Sequence, residues 1–257
     1  MGSMHSGGGR GAGYHKMVVS FADRFAARFG YRLVEARDYP YVDDMPPEFH
    51  AIDRRVSPFT QTSVQRRAAL YESLQYVLRE GIPGDFVECG VWRGGSAMLA
   101  AMAMRHAGHL NRKIYLYDTY AGMPEPGSRD VDLHGEPARA KWEEGGWNHA
   151  DLDDVRRNLA RTRYPQENLV FAPGMVEETI PGVAPDTISV LRLDTDFYAS
   201  TLHELRHLYP RLSPGGVLLI DDYGHFRGAK AAVDEYFSGR PPYMHRVDYT
   251  ARLIVKG

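Results

Sequence analysis

The sequence predicts an α/β fold in which a mostly parallel, seven-stranded sheet carries helices on both faces and an antiparallel hairpin at one edge. Short apolar runs alternate with segments of helical periodicity from residue 85 onward, which is typical of a parallel sheet. The run Val217–Ile220 is continuously apolar, as a strand covered on both faces must be. No helix separates the last two strand-like runs, so they are expected to form the antiparallel edge.

The elements can be taken in chain order. Apolar side chains at helical spacing, among them Leu70, Leu74 and Val77, indicate a first helix that Pro83 and Gly84 follow. The predicted helices are Gln65–Glu80, Ser96–Ala107, Asp151–Ala160, Ser200–Leu212 and Arg227–Phe237. The predicted strands are Asp85–Cys89, Ile114–Tyr117, Leu169–Ala172, Ile188–Leu193, Val217–Ile220, Met244–Val247 and Leu253–Val255.

Three segments stand apart from this alternation. Residues 1–13 are rich in glycine and serine, which predicts a flexible tail or a cloning remnant. Residues 14–64 form an N-terminal segment that precedes the main domain, residues 65–257. Within that domain, residues 121–150 combine prolines and glycines with Trp142 and Trp147, which predicts a lid over a binding site.

Composition narrows the class of protein. The chain has 257 residues, with 31 Lys and Arg against 33 Asp and Glu, and a net charge of −2. A nucleic-acid binder or a protein of anionic membrane surfaces would need a basic excess. Cys89 is the one cysteine, so neither an internal disulfide nor a cysteine-based zinc site can form. With no apolar run long enough to span a bilayer and no secretory signal in view, a cytoplasmic, soluble protein is expected.

Ligands of parallel sheets bind beyond the carboxyl ends of the strands, so these ends are where chemistry is expected. Glu88 and Gly90 end the first strand, and Gly94 leads toward Ser96 at the start of a helix. The spacing misses the dinucleotide fingerprint, and no lysine precedes Ser96 as a phosphate loop requires. An acid followed by glycines at this position suits a hydroxyl-rich or cationic ligand. The alternative is that these residues form a tight turn with no ligand.

The next two strand ends fit a nucleoside. Asp118 ends the second strand, where an acid can bind both hydroxyls of a ribose. Gly174, Met175 and Val176 follow the third strand and offer apolar atoms against which an adenine could lie. The alternatives are a solvated turn at Asp118 and ordinary packing at the third strand.

Acidic residues cluster after the fourth and fifth strands. Asp194 and Asp196 end one, and Asp221 and Asp222 end the other. Neighbouring strands are about 5 Å apart, so these carboxylates would repel one another unless a cation neutralises them. Oxygen ligands favour magnesium, and calcium less well. The alternative is a structural ion pair with Arg192.

Two residues are candidates for the general base. Asp194 is placed to take a proton, and His225 follows the fifth strand, although a loop histidine is more often a surface residue. His203 and His207 flank Glu204 in a formal His-Glu-x-x-His pattern, which can hold zinc. Because no third ligand is evident, this pair is interpreted as surface or interface residues.

At these strand ends the chain resembles the macrocin O-methyltransferase family of the TylF and MycF type. The resemblance extends over roughly Thr60 to Val255. The matching stretches are Asp85–Gly95, Tyr117–Pro124, Leu191–Thr201, Asp221–His225 and Ala232–Phe237.

The resemblance implies a Rossmann-like class I methyltransferase that uses S-adenosylmethionine and magnesium to methylate a sugar hydroxyl of a natural-product glycoside in antibiotic or other secondary-metabolite biosynthesis. It implies a homo-oligomer, metal ligation by Asp194, Asp221 and Asp222, and closure of Thr60–Ser63 on the methionine end of the cofactor. The candidate cofactor-binding residues, including those named above from their positions, are Thr62, Ser63, Glu88, Gly90, Ser96, Asp118, Thr119, Gly174, Met175, Val176 and Asp194.

Three other functions remain open at this point. A metal-dependent methyltransferase of catechol-like phenols would differ in having a flatter, more apolar acceptor pocket. A nicotinamide-dependent oxidoreductase is disfavoured by the missing fingerprint and by the aspartate cluster. A non-enzymatic nucleoside-binding module with a structural ion would show no methyl transfer. The acceptor pocket itself is expected from Val34–Phe49 and the lid.

Overall fold

The sheet of the protein has the predicted architecture. The computed structural model describes residues 44–257, so the expectations for residues 1–13 and for most of 14–64 lie outside the described part. The strands are β1 Asp85–Cys89, β2 Ile114–Asp118, β3 Leu169–Pro173, β4 Ile188–Leu193, β5 Leu212–Ile220, β6 His245–Arg246 and β7 Arg252–Val255. Their order is β3-β2-β1-β4-β5-β7-β6. The first five strands run parallel, and β7 is antiparallel to both β5 and β6, so the predicted edge hairpin is confirmed.

Helices cover both faces of this sheet. Those of the described residues are α1 Pro47–Val56, α2 Val64–Arg79, α3 Gly95–His106, α4 Ala138–Glu143, α5 Leu152–Ala160, α6 Val176–Thr179, α7 Tyr198–Leu208 and α8 Arg227–Tyr236. Helix α1 was not predicted, although Phe49, Ile52 and Val56 lie at helical spacing and are buried. Its Phe49 is fully buried in the core, so this residue does not belong to an acceptor pocket as expected for Val34–Phe49.

The predicted helix Ser200–Leu212 extends too far. Helix α7 ends at Leu208, a single 3₁₀ turn follows at Tyr209–Arg211, and β5 begins at Leu212. Pro210 has no amide hydrogen to continue the helical ladder, which favours the break at this point. Strand β5 is correspondingly longer at its start than the apolar run Val217–Ile220 indicated.

Alternation along the strands separates two cores. Phe86 and Val190 face a cluster formed with α1, α2, α3 and α5, whereas their neighbours Val87 and Leu191 face one formed with α7 and α8. Successive side chains of a strand point to opposite faces, so a strand covered on both sides contributes to two cores. Among residues 44–257, every helix is too short or too polar to traverse a bilayer.

The lid, residues 121–150, packs across the carboxyl edge of the sheet. Asp130 is buried, and its Oδ1 accepts a hydrogen bond from the amide of Tyr198 at 2.8 Å while its Oδ2 accepts one from Gly127 at 2.7 Å. The carbonyl of Val131 accepts from the amide of Arg227 at 2.8 Å. The lid is therefore attached to the first residues of α7 and α8, which follow the acid-bearing strands.

Candidate active site

A cavity of about 260 Å³ opens at the carboxyl ends of the strands. Twelve of the candidate residues named from the sequence line it: Thr62, Gly90, Ser96, Asp118, Thr119, Gly174, Met175, Val176, Asp194, Asp221, Asp222 and His225. They come from six separate segments of the chain, so their convergence is a property of the fold. Their individual roles stay predictions.

Gly90 brings the ends of β1 and β4 together. Its φ is +82°, and a Cβ added there would lie 1.9 Å from the carbonyl oxygen of Asp194. The amide of Asp194 donates to the carbonyl of Cys89 at 2.9 Å. Any side chain at position 90 would therefore separate the glycine turn from the acidic cluster.

Asp118 organises two turns: the turn that follows β1 and the turn that follows β2, at whose start it lies. Its Oδ2 accepts hydrogen bonds from the amides of Val91 at 2.7 Å and Trp92 at 2.9 Å, and its Oδ1 accepts from Tyr120 at 2.8 Å. Trp92 and Tyr120 have φ values of 46° and 52°, a left-handed conformation that is uncommon for bulky residues. The carboxylate thus holds two unusual turns in place at the rim of the cavity.

Ser63 and Glu88 lie behind the cavity wall rather than on it. Ser63 caps α2 by accepting from the amide of Arg66 at 3.2 Å, and its hydroxyl donates to Asp248 at 2.8 Å. Glu88 is 1% exposed, with Oε1 accepting from Arg192 at 2.5 Å and Oε2 without a partner. Burial raises the pKa of Glu88 to about 7, against the lowering effect of Arg192.

Asp194, Asp221 and Asp222 form the acidic cluster. Each offers one carboxylate oxygen, and these three oxygens lie within 4.8 Å of one another. Strands β4 and β5 are direct neighbours, as the sequence suggested. Three converging carboxylate oxygens are ligands suited to magnesium. The residues present therefore fit a hard divalent cation.

The alternative ion pair with Arg192 is present in the same cluster. Its Nη2 donates to Asp194 at 2.7 Å and to Asp221 at 2.9 Å. Arg66 pairs with the other carboxylate oxygen of Asp221. Two guanidinium groups thus already contact the acids, and the ion-pair and metal interpretations are not exclusive.

Negative charge still exceeds what the arginines neutralise. Burial, with the neighbouring Asp221 and Asp222, raises the pKa of Asp194 well above its ordinary value against the effect of Arg192. Burial and the adjacent Asp196 likewise raise the pKa of Asp222. The amide of Asp196 donates to Asp222 at 3.3 Å, and Asp196 has a φ of 64°. A bound cation would remove the need for protons on these acids.

His225 lies in the turn after β5. Its amide donates to the carbonyl of Asp222 at 3.0 Å, and the residue lines the same cavity as the acidic cluster. Tyr249 has its hydroxyl 3.4 Å from His225 Nδ1. Burial is the main cause that lowers the pKa of His225, which favours the neutral imidazole, the form that can accept a proton.

Sequence reasoning missed Arg66, Lys141 and Tyr249, all of which line the cavity. The lid contributes an aromatic wall: the ring of Trp147 is 5.8 Å from that of Phe197 and 6.2 Å from that of Phe226. Lys141 lies 4.2 Å above Trp147. The tryptophans of residues 121–150 were a usable signal for this wall, but the cations carried none.

In the His-Glu-x-x-His pattern, no third potential ligand among residues 44–257 converges on the two histidines. The rings of His203 and His207 are 4.4 Å apart, and His203 Nε2 contacts the carbonyl of Ile180 at 2.9 Å. Glu204 is fully buried and accepts from the Thr195 hydroxyl at 2.9 Å. Within residues 44–257, the one group of potential metal ligands that converges is the acidic cluster.

Comparison with known proteins identifies the family of the chain. The sequence profile of a family described as macrocin O-methyltransferase (TylF) matches residues 35–253. The 8-demethyl-8-(2,3-dimethoxy-alpha-L-rhamnosyl)-tetracenomycin-C 4'-O-methyltransferase of Streptomyces olivaceus is 37% identical over 183 residues, 69% of this chain and 67% of that one. Mycinamicin III 3''-O-methyltransferase of Micromonospora griseorubida is 33% identical over 177 residues, 69% of each chain.

Solved structures lead to the same class of enzyme. The O-methyltransferase NovP superposes with a TM-score of 0.71 at 25% identity, covering 94% of this chain and 98% of that one. The family match extends over most of the chain, and the curated relatives are O-methyltransferases. The chain therefore belongs to the TylF family of macrocin O-methyltransferases.

Proposed function

We propose that the protein is an S-adenosylmethionine- and magnesium-dependent O-methyltransferase that acts on a sugar hydroxyl of a natural-product glycoside, in antibiotic or other secondary-metabolite biosynthesis. The observation that carries the proposal is the convergence of three acid oxygens, from Asp194, Asp221 and Asp222, in the cavity that also holds Gly90 and Asp118. The tetracenomycin relative is named for a rhamnosyl-bearing compound, which supports a glycosidic acceptor.

The residues after β1, β2 and β3 are proposed to hold the cofactor, which supplies an electrophilic methyl group on a sulfonium centre. Asp118 faces the cavity with oxygens already ordered by backbone amides, so it can accept ribose hydroxyls without rearranging. Met175 and Val176 offer apolar contact for an adenine. Thr62 precedes α2 and lines the same cavity.

Asp194, Asp221 and Asp222 would hold magnesium, which lowers the pKa of a hydroxyl that it binds. His225 lines the same cavity as the cluster, and burial favours its neutral form, so it can take the proton of the acceptor hydroxyl. Asp194 stays a second candidate for that role. The wall of Trp147 and Phe226 orients the acceptor and excludes water, and orientation supplies much of the rate.

The test combines the purified full-length chain with S-adenosylmethionine and a panel of deoxysugar glycosides, with and without a chelator. A mass gain of one methyl group that the chelator abolishes is the expected result. A catechol is included in the panel, and methylation of the catechol alone would contradict the sugar acceptor. Methyl transfer undiminished by chelator would contradict the role of magnesium.

The variant Asp221→Ala distinguishes the role of the metal site from that of the cofactor site. Transfer is expected to fall by at least about 100-fold, because one ligand of the cation is lost, while calorimetry shows nearly unchanged S-adenosylmethionine binding. Arg157→Gln is the control, since Arg157 is 64% exposed on α5 and makes one weak pair. Loss of cofactor binding with metal binding retained would contradict the assignment. A homo-oligomer stays a prediction from the family.

A further inference from the structure

Both oxygens of Asp221 are engaged by guanidinium groups. Arg192 Nη2 donates to Oδ1 at 2.9 Å, and Arg66 Nη1 pairs with Oδ2. A cation bound to Asp221 would share one of these oxygens with a guanidinium group, and because the two positive charges repel each other, one arginine is favoured to yield. The two arginines differ in how readily they can do so.

Arg192 is held in its position by contacts with three carboxylates. Its side chain is 4% exposed and contacts Glu88 at 2.5 Å and Asp194 at 2.7 Å in addition to Asp221. Removing this guanidinium would leave the buried carboxylate of Glu88 without a partner and would take from Asp194 its paired charge, which is strongly unfavourable. Arg192 is therefore a permanent part of the cluster.

Arg66 has an alternative partner. Its side chain is 15% exposed and comes from the first turn of α2, and its Nε lies 3.2 Å from Asp248 Oδ2. Asp248 belongs to the turn between β6 and β7 and is only 11% exposed. Arg66 can release Asp221 and keep its charge paired with Asp248, so its departure leaves no isolated buried charge.

We propose that Arg66 is an internal competitor for the divalent cation at Asp221, and that Asp248 receives Arg66 when the cation binds. The inference rests on the magnesium site of the proposed function. Arg66 thereby sets the affinity of the acidic cluster: it balances part of the negative charge in the absence of the cation, and it withdraws along the cavity wall in its presence.

The release of Asp221 by Arg66 also involves the part of the cavity in which the cofactor is proposed to bind. Ser63 Oγ donates to Asp248 at 2.8 Å and accepts from Arg66 Nε at 3.4 Å. Residues 60–62, which directly precede this cap, line the cavity. The cap of α2 is thus shared between the segment near the cofactor and the pair that Arg66 forms with Asp248.

The test is a double-mutant cycle in which calorimetry measures Mg²⁺ affinity of the full-length protein, with Mn²⁺ and electron paramagnetic resonance as a second probe. Arg66→Met is expected to tighten binding about tenfold, since no ion pair has to be broken. Asp248→Asn is expected to weaken binding several-fold in the wild-type background, and to have little effect in the Arg66→Met background. Arg157→Gln, a control for net charge, is expected to leave affinity unchanged.

A purely long-range effect of charge gives a different pattern. In that case Asp248→Asn weakens Mg²⁺ binding equally in both backgrounds. Arg66→Lys, which keeps the positive charge but loses the planar guanidinium group with its several donors, then binds Mg²⁺ as the wild type does. Either result overturns the inference, as does unchanged or weaker binding by Arg66→Met. The Asp248→Asn substitution retains an Oδ1 that can accept from the amides of Thr250 and Ala251, as Asp248 does at 2.9 and 2.8 Å, which favours folding of the variant.

The wild-type titration separates this inference from the proposed function. No uptake of Mg²⁺ or Mn²⁺ by the wild-type protein would overturn both the magnesium site and the competitor role of Arg66. If the wild-type protein takes up the cation but the effects of Arg66→Met and Asp248→Asn on affinity are additive, only the role of Arg66 is overturned. Asp221→Asn, which loses charge at the shared ligand, is the reference for a disabled site.

Discussion

Single residues decide how closely the strand ends approach one another. Gly90 and Asp194 meet at the boundary between β1 and β4, and the absence of a Cβ allows contact between their backbones. Arg192 pairs with three acids: Glu88 on β1, Asp194 directly after β4 and Asp221 directly after β5. The geometry of the site thus depends on the absence of a side chain at Gly90 and on the buried guanidinium group of Arg192. Substitution can test both residues.

Gly90→Ala is predicted to destabilise the fold by about 3 kcal/mol or more, because the new methyl group overlaps a backbone oxygen that cannot move aside alone. Gly81→Ala is the matched control: Gly81 has a φ of +63°, but nothing lies within 4 Å of a Cβ added there. That control is expected to lose about 1 kcal/mol from backbone strain only. Denaturant unfolding of both variants measures the difference, and equal losses would contradict the overlap argument.

Glu204 is predicted to make stability depend on pH. Burial raises its pKa in the folded protein to about 8, against an ordinary value of 4.5. Between these values the folded state keeps the proton and the unfolded chain releases it, so this contribution to stability is complete below about pH 4.5 and declines as pH rises through 8. The free energy of unfolding from pH 5 to 9, with chelator present, measures the decline.

Glu204→Gln removes this proton while keeping an oxygen that can accept from Thr195. Stability of the variant is therefore expected to fall less steeply with pH than that of wild type, with the remaining slope coming from other buried acids such as Glu88. Parallel curves for the two proteins would show that Glu204 is already ionised in the folded state.

At the scale of elements, the lid is attached through helix termini. Asp130 supplies the acceptor that the first amide of α7 needs, and Val131 does the same for α8. The lid then presents Trp147 to Phe197 and Phe226, residues that immediately precede those helices. Attachment of the lid and shape of the acceptor wall are thus coupled.

Asp130→Ala is predicted to lower stability by about 1 to 2 kcal/mol through the lost cap, and to raise the KM for the acceptor more than the dissociation constant for S-adenosylmethionine. Asp153→Ala, at a side chain that is 77% exposed on α5, is the control and is expected to change neither. Steady-state kinetics with calorimetry measure the two effects. Equal weakening of acceptor and cofactor would mean that the lid does not act on the acceptor alone.

At the scale of the whole molecule, strand order explains where the site lies. The chain crosses from β3 at one edge to β4 beside β1, so β1 and β4 are neighbours at the point where the order reverses. Loops at such a point diverge and leave a crevice for a ligand. The acidic cluster, the glycine turn and Asp118 all border this crevice.

Much of this arrangement was predictable from local patterns. Alternating apolar strands and amphipathic helices follow from periodicity, and residues after parallel strands must share one edge of the sheet. Eleven of the twelve candidate site residues gathered in one cavity for that reason, whereas Thr62 reaches the cavity from the segment before α2. The ends of α7 and the presence of α1 were less well predicted, because helix length depends on packing as well as on local sequence.

The alternation of strands and helices, the family, and the set of acids that could face a cation were predictable without a structure, because each is encoded in short-range pattern and residue type. The pairing of Glu88 with Arg192, and that of Arg66 with Asp221, became visible only in the folded chain. Those pairings join residues more than 100 positions apart along the chain. Their partners are selected by the charge balance of the folded interior, which no local pattern contains.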